Sequence, residues 1–149
     1  MVRFRLNGTE VEHGGDVSLL HALRGDFALN GPRFGCGAER CGACHVLLDG
    51  RSVPSCALPV VAVAGREVET LEGLGSRAAP HPLQAAFLAE QAGQCGWCLA
   101  GIVVSAAALL REVPHPGEEE VRAALEPHLC RCGSHNRIIR AVLRAAAEA

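Results

Sequence analysis

The run VRFRL at positions 2–6 alternates apolar and basic residues, the period of two expected of a half-buried strand. Asn7-Gly8 follows as a two-residue turn signal, and TEVEH returns, so a hairpin is predicted. In SLLHALRGDF, Leu19, Leu20 and Leu23 fall on one helical face, with Asp16 or Ser18 placed to cap it. HVLLDGRSV predicts a second hairpin turning at Asp49-Gly50, and LPVVAVAGREVETL one or two further short strands. Beyond this the period changes. LQAAFLAEQAG after Pro82 and the apolar stretch Leu99 to Arg111 read as helices. Pro114-His115-Pro116-Gly117 breaks the chain, and Glu118 to Glu120 open a third helix, where acidic side chains suit the positive end of the dipole. A fourth runs from Asn136 to Ala147 with Ile138, Ile139, Val142 and Leu143 as its stripe. The expected class is α+β, with a β-rich unit over 1–75 and a helical unit over 76–149. The boundary falls where Gly73, Gly75 and Pro80 cluster.

Composition narrows the function classes. The chain of 149 residues has a net charge of −2, which argues against a nucleic-acid or anionic-membrane partner. Its basic residues are all arginine. MVRFRLNG has no apolar h-region, cleavage site or twin-arginine motif. The run Leu99 to Leu110 is shorter than the roughly 20 residues needed to span a bilayer. A chain without a transmembrane segment is expected, cytoplasmic unless exported with a partner.

Eight cysteines change the picture, four in each half. Cys36, Cys41, Cys44 and Cys56 stand in the order C-x4-C-x2-C followed by a distant fourth, the order of plant-type 2Fe–2S ferredoxins. Three ligands on one tight loop wrap one side of a small cluster and a distant one closes it. Structural zinc more commonly uses two paired knuckles. Cys95, Cys98, Cys130 and Cys132 form a C-x2-C and a C-x-C pair. Taken alone, CGWC also fits a thioredoxin-like redox pair, but that leaves Cys130 and Cys132 unexplained and lacks a βαβ setting. By spacing, zinc and an iron–sulfur cluster both remain open for this second set.

Both sets in this order resemble the iron–sulfur subunit of the xanthine oxidase family of molybdenum hydroxylases. The resemblance lies in FGCGAERCGACHVLLDG, HPLQAAFLAEQAGQCGWCLAG and HLCRCGSHNRIIRAV, and it covers almost the whole chain. It implies a β-grasp ferredoxin-like domain followed by a four-helix bundle, each holding one 2Fe–2S cluster. It also implies a large subunit that binds a molybdopterin cofactor and hydroxylates an N-heteroaromatic or an aldehyde, with an FAD subunit or a haem protein as acceptor. Gln94 matches a family glutamine that hydrogen-bonds the pterin, and Cys132 matches the cluster ligand lying against it. The chain departs from the family at Glu39, where a small residue is usual, at Ala100, at Pro127-His128 and at Gly133-Ser134-His135. No ligand is lost, and the Cys-Gly-Ser-His ending is similar to nicotinate- and isoquinoline-type members.

The remaining chemistry is sparse. His128 and His135 flank the second set, but two full cysteine sets leave no need for Rieske-type histidines; they are expected to hydrogen-bond nearby backbone or to face a partner. Trp97 is expected to shield the second set from water rather than to assist electron transfer, and Arg131 either to tune the potential or contact the large subunit, or to be a solvated or interface arginine. No phosphate loop and no nucleophile–base pair is present, so no catalytic residue is expected. The reading is an electron-transfer subunit; the competing one is a free-standing ferredoxin-like carrier or a zinc-stabilised binding module.

Overall fold

The computed structural model describes residues 1–149. Strand β1 (Val2–Leu6) pairs antiparallel with β2 (Thr9–His13), and β3 (His45–Leu48) pairs antiparallel with β4 (Arg51–Pro54). Asn7, Gly8, Asp49 and Gly50 all have positive φ, as the predicted two-residue hairpin turns require. Strand β5 (Glu67–Glu69) lies parallel to β1 and antiparallel to β3, giving the order β2-β1-β5-β3-β4. Helix α1 (Leu19–Arg24) covers one face, and Phe4, Leu19, Leu23, Val46 and Val68 fill the space between. Ser18 is its cap: the hydroxyl oxygen accepts the His21 N–H at 3.3 Å.

One expectation needs correction here. α1 stops at Arg24 and does not reach Phe27, which packs edge-on against Phe4 at 5.9 Å. The segment LPVVAVAGREVETL, expected to give one or two strands, gives one, β5. Val60–Val63 is a 3-10 turn after Pro59, burying Val60 and Val63 and leaving Val61 exposed. A spacing of three, not two, places both buried valines on the α1 side of the sheet.

Four of the five remaining helices share a second core. They are α3 (Pro82–Ala89), α4 (Leu99–Glu112), α5 (Glu118–Leu125) and α6 (His135–Glu148), preceded by the single turn α2 (Leu71–Leu74). Leu83, Phe87, Ile102, Val103, Val121, Ile138 and Val142 meet there. α3 opens on a reciprocal cap: His81 Nδ1 accepts from Leu83 N–H, and Gln84 Oε1 accepts from His81 N–H. No helix is long and apolar enough to cross a membrane.

The two cores meet where α4 crosses β3. All four β3 residues are buried, because Val46 and Leu48 face α1 while His45 faces α4. α4 also passes directly over the first cysteine loop. A Cβ on Gly101 would lie 2.0 Å from the Gly42 carbonyl oxygen, and one on Gly42 would lie 2.3 Å from His128 Nδ1. Both positions therefore require glycine. A buried polar chain closes the junction: His45 Nδ1 to Ser52 Oγ at 2.7 Å, Ser52 Oγ to Ser105 Oγ at 2.5 Å, and Ser105 Oγ to His128 Nε2 at 2.7 Å. Burial, and then the neighbouring His45, push His128 down to about 4.

Gly101→Ala forces α4 away from the loop and is expected to cost about 1–3 kcal/mol in a urea titration. The pH dependence follows from His128. Its folded value lies below the ordinary one, so its contribution is complete above about pH 6.5 and is lost as pH falls towards 4. Stability is expected to drop by about 2 kcal/mol between pH 7 and pH 5 on this account. A His128→Gln variant, which takes up no proton there, should show a visibly flatter profile.

Candidate metal centres

The first cysteine set is built on the loop that enters β3 and on the exit of β4. Cys36 is exposed, Cys41 and Cys56 are half-buried, and Cys44 is buried. The loop turns its amides inward. The N–H groups of Ala38 and Arg40 point at Cys36 Sγ at 3.3 and 3.2 Å, and that of Cys36 points at Cys41 Sγ at 3.3 Å. The Ala38 amide first, and then that of Arg40, bring Cys36 down to about 7. Cys44 is pushed up to about 11 by burial, against the amides of Cys56 and Ser55. Ser55 Oγ–H donates to the Cys44 carbonyl at 2.6 Å, which ties the distant fourth cysteine to the third. Glu39, the departure in this loop, sits at φ +59. That is the left-handed region, which glycine adopts without the clash a Cβ brings.

The second set joins the N-terminus of α4 to the segment before α6. Cys98 is the residue before α4, and Cys130 and Cys132 precede Ser134. Cys95 is lowered by the Trp97 amide and then by the Cys132 side chain, with Cys130 close enough to act on its charge. Cys98 is pushed up to about 12 by burial and by Cys130. Burial raises Cys130 too, but the amide of Ser134, the Cys98 thiol and the amide of Cys132 outweigh it, and the net shift is downward. Cys95, Cys98 and Cys130 therefore act on one another, and the Cys132 side chain reaches Cys95.

The donor chemistry fits 2Fe–2S clusters. Each set holds one exposed thiol favoured as thiolate and one buried thiol disfavoured as thiolate, and a bound cationic centre relieves the second. The thiols group in pairs: Cys36 with Cys41, Cys44 with Cys56, Cys95 with Cys132, Cys98 with Cys130. No three of the chain's cysteine, histidine or carboxylate side chains converge on a point that one metal ion could occupy. A zinc knot needs such a point; a two-iron cluster takes its thiolates two per iron.

The sets share a crevice of 280 Å³, lined by Cys36, Cys41, Cys95, Cys98 and Cys130. The Leu129 N–H donates to the Cys41 carbonyl across it at 3.0 Å. Gln94 lies exposed beside Cys95, on the rim of a separate 540 Å³ apolar groove with Phe87, Leu88 and Leu99. His135 Nε2 bonds the His128 carbonyl at 3.2 Å, a backbone partner as expected, whereas the His128 ring bonds the Ser105 side chain. Arg131 is exposed. Sequence reasoning missed Ser105, whose signal was being the lone polar residue in LAGIVVSAAALL, and Arg33, which carried no signal.

Comparison with known proteins agrees with this geometry. Residues 4–71 match the 2Fe-2S iron-sulfur cluster binding domain, and residues 70–143 match the 2Fe-2S binding domain. The chain is 51% identical to a nicotinate dehydrogenase subunit from Pseudomonas putida, over 97% of this chain and 94% of that one. It is 45% identical to the alpha subunit of isoquinoline 1-oxidoreductase from Brevundimonas diminuta, over 100% and 99%. The chain belongs to the iron–sulfur subunits of the xanthine oxidase family of molybdenum hydroxylases. The aldehyde oxidoreductase structure from Desulfovibrio desulfuricans superposes with a TM-score of 0.93 at 38% identity; 99% of this subunit matches only 17% of that longer chain. Quinoline 2-oxidoreductase from Pseudomonas putida 86 matches over 98% of this chain and 93% of its own, with a TM-score of 0.92 at 34% identity. The subunit is thus an electron-transfer component of an oxidoreductase, and the free-standing carrier and zinc-module readings are not favoured.

Thiol reactivity checks the asymmetry of the two sets. In the metal-free, reduced protein at pH 7, iodoacetamide is expected to modify Cys36 and Cys95 at least about tenfold faster than Cys44 and Cys98, read by peptide mass mapping. Equal rates would contradict it.

Proposed function

We propose that Cys36, Cys41, Cys44 and Cys56 hold one 2Fe–2S cluster, and Cys95, Cys98, Cys130 and Cys132 the other. The carrying observation is that Cys36 and Cys41 of one set and Cys95, Cys98 and Cys130 of the other open on one crevice, bridged by the Leu129–Cys41 hydrogen bond. A bound 2Fe–2S cluster supplies one-electron transfer, so two of them divide a two-electron oxidation into single steps. The chain's own residues do the rest. The amides of Ala38, Arg40 and Trp97 offer hydrogen bonds to sulfur, and Trp97 and Leu129 cover the crevice.

In this reading residues 1–75 form a β-grasp ferredoxin-like domain and residues 76–149 a four-helix bundle. Gln94 and Cys132 face a molybdopterin cofactor held by a large subunit. The Gln94 amide both donates and accepts, which suits the mixed edge of a pterin. Phe34, Leu88, Trp97 and Leu129 are among the most exposed large apolar side chains, and all lie on segments next to the cysteines or Gln94. Such a surface is expected of an obligate subunit. The acceptor is an FAD subunit or a haem protein, and the complex is cytoplasmic. An N-heteroaromatic substrate is supported by relatives named for nicotinate, isoquinoline and nicotine, at 51%, 45% and 44% identity; those named for aldehydes match at 36–38%.

EPR of the dithionite-reduced protein, with iron and zinc quantified, tests the assignment. Two distinct rhombic signals are expected. Cys132→Ser is expected to abolish or alter one signal, leave the other, and lower turnover at least about tenfold. Full activity in that variant, or one signal with stoichiometric zinc, would overturn the assignment.

A further inference from the structure

Arg33 stands three residues before Cys36, and its backbone N–H is bound to the Ala43 carbonyl at 3.0 Å, so its Cα is fixed to the first cysteine loop. Its side chain crosses to the other half of the molecule. Nη1 donates to the Gly96 carbonyl at 2.8 Å, and the guanidinium carbon lies 5.0 Å from the centre of the Trp97 ring. Trp97 reaches back: its Nε1–H donates to the Phe34 carbonyl at 3.2 Å. Two hydrogen bonds and a cation–π contact clasp residues 33–34 to residues 96–97.

The carbonyl that Arg33 holds belongs to the same peptide unit as the Trp97 N–H. A trans peptide is planar, with its C=O and N–H pointing in opposite directions. Fixing the carbonyl on Arg33 therefore fixes the N–H, which points at Cys95 Sγ at 3.5 Å. The unit is attached through Gly96, at φ +79, and its carbonyl has one other partner, the Leu99 N–H at the longer distance of 3.3 Å, so Arg33 is the shorter of the two bonds that set its rotation. A carbonyl bound to a cation also polarises its own amide into a stronger donor.

We propose that Arg33, from the N-terminal half, is a positioning residue for the second centre: it aims the Trp97 N–H at Cys95 Sγ and so raises the reduction potential of the centre held by Cys95, Cys98, Cys130 and Cys132. The inference rests on the ligand assignment above. An N–H···S bond stabilises the more negative, reduced state, so losing it lowers the potential.

The test is a redox titration of the holoenzyme followed by EPR, comparing wild type with Arg33→Met. Methionine keeps an apolar stem on Trp97 and has neither charge nor donor. The signal that depends on Cys132 is expected to move to more negative potential, by about a tenfold change in its one-electron equilibrium, or ~59 mV. The other signal stays in place and serves as the internal control for folding and loading. Hyperfine spectroscopy after deuterium exchange should show one exchangeable-proton coupling lost or weakened on the shifted signal. An unmoved potential overturns the proposal. So does an equal shift of both signals, or a shift with the proton coupling intact, which would be a through-space charge effect. If Arg33→Met loads no second centre, Arg33→Lys is titrated in its place: a smaller shift in the same direction supports the clasp, and an unchanged potential overturns it. A wild-type enzyme without a second 2Fe–2S signal defeats the ligand assignment itself, and the proposal falls with it.

Discussion

Helix α4 lies so close to the first cysteine loop that the Gly42 carbonyl occupies the space a Gly101 side chain would need. That contact brings a helix carrying Cys98 at its start against a loop carrying Cys36, Cys41 and Cys44, and makes a shared crevice possible. The approach is sterically unforgiving on both sides of the loop, because His128 presses on Gly42 from beyond. α4 can sit there only because β3 offers it a second buried face, with His45 directed at Ser105.

The junction buries polar groups that an apolar contact would not need. Ser52, Ser105, His45 and His128 satisfy each other in series, though His128 Nδ1 has no partner. Directional bonds fix the rotation of α4 over the sheet more sharply than valines and leucines alone would, because each bond tolerates little misalignment. The rotation matters, since it places Cys98 and, through the Leu129–Cys41 bond, Cys130 on the crevice. His45 and His128 thus position the segments that carry the thiols.

The two thiol sets solve one electrostatic problem in the same way. An exposed cysteine in each receives backbone N–H groups, and a buried one is held away from ionisation by its surroundings. The amides come from different local structures, a glycine-rich loop in one case and the Gly96–Trp97 peptide in the other. The carbonyl of that second peptide is bound by Arg33, a side chain from the opposite half, so the two thiol sets are joined by more than the docking of their cores.

Much of this was legible in the chain itself. Strand alternation in VRFRL and TEVEH, the Asn7-Gly8 and Asp49-Gly50 turns, the helical stripes and the two cysteine spacings are local patterns, set by backbone geometry and side-chain period. They determined the hairpins, the helices, the family and the grouping of the eight thiols into sets of four. Where a local pattern was ambiguous, burial decided: the valines at 60–63 took a spacing of three because two of them had to face α1. What only the tertiary structure decided is everything that spans the two halves. The Gly101–Gly42 approach, the serine–histidine chain and the reach of Arg33 to Gly96 join residues about sixty positions apart in the sequence. No period or spacing encodes such a pair, because its geometry exists only once both cores have formed and docked.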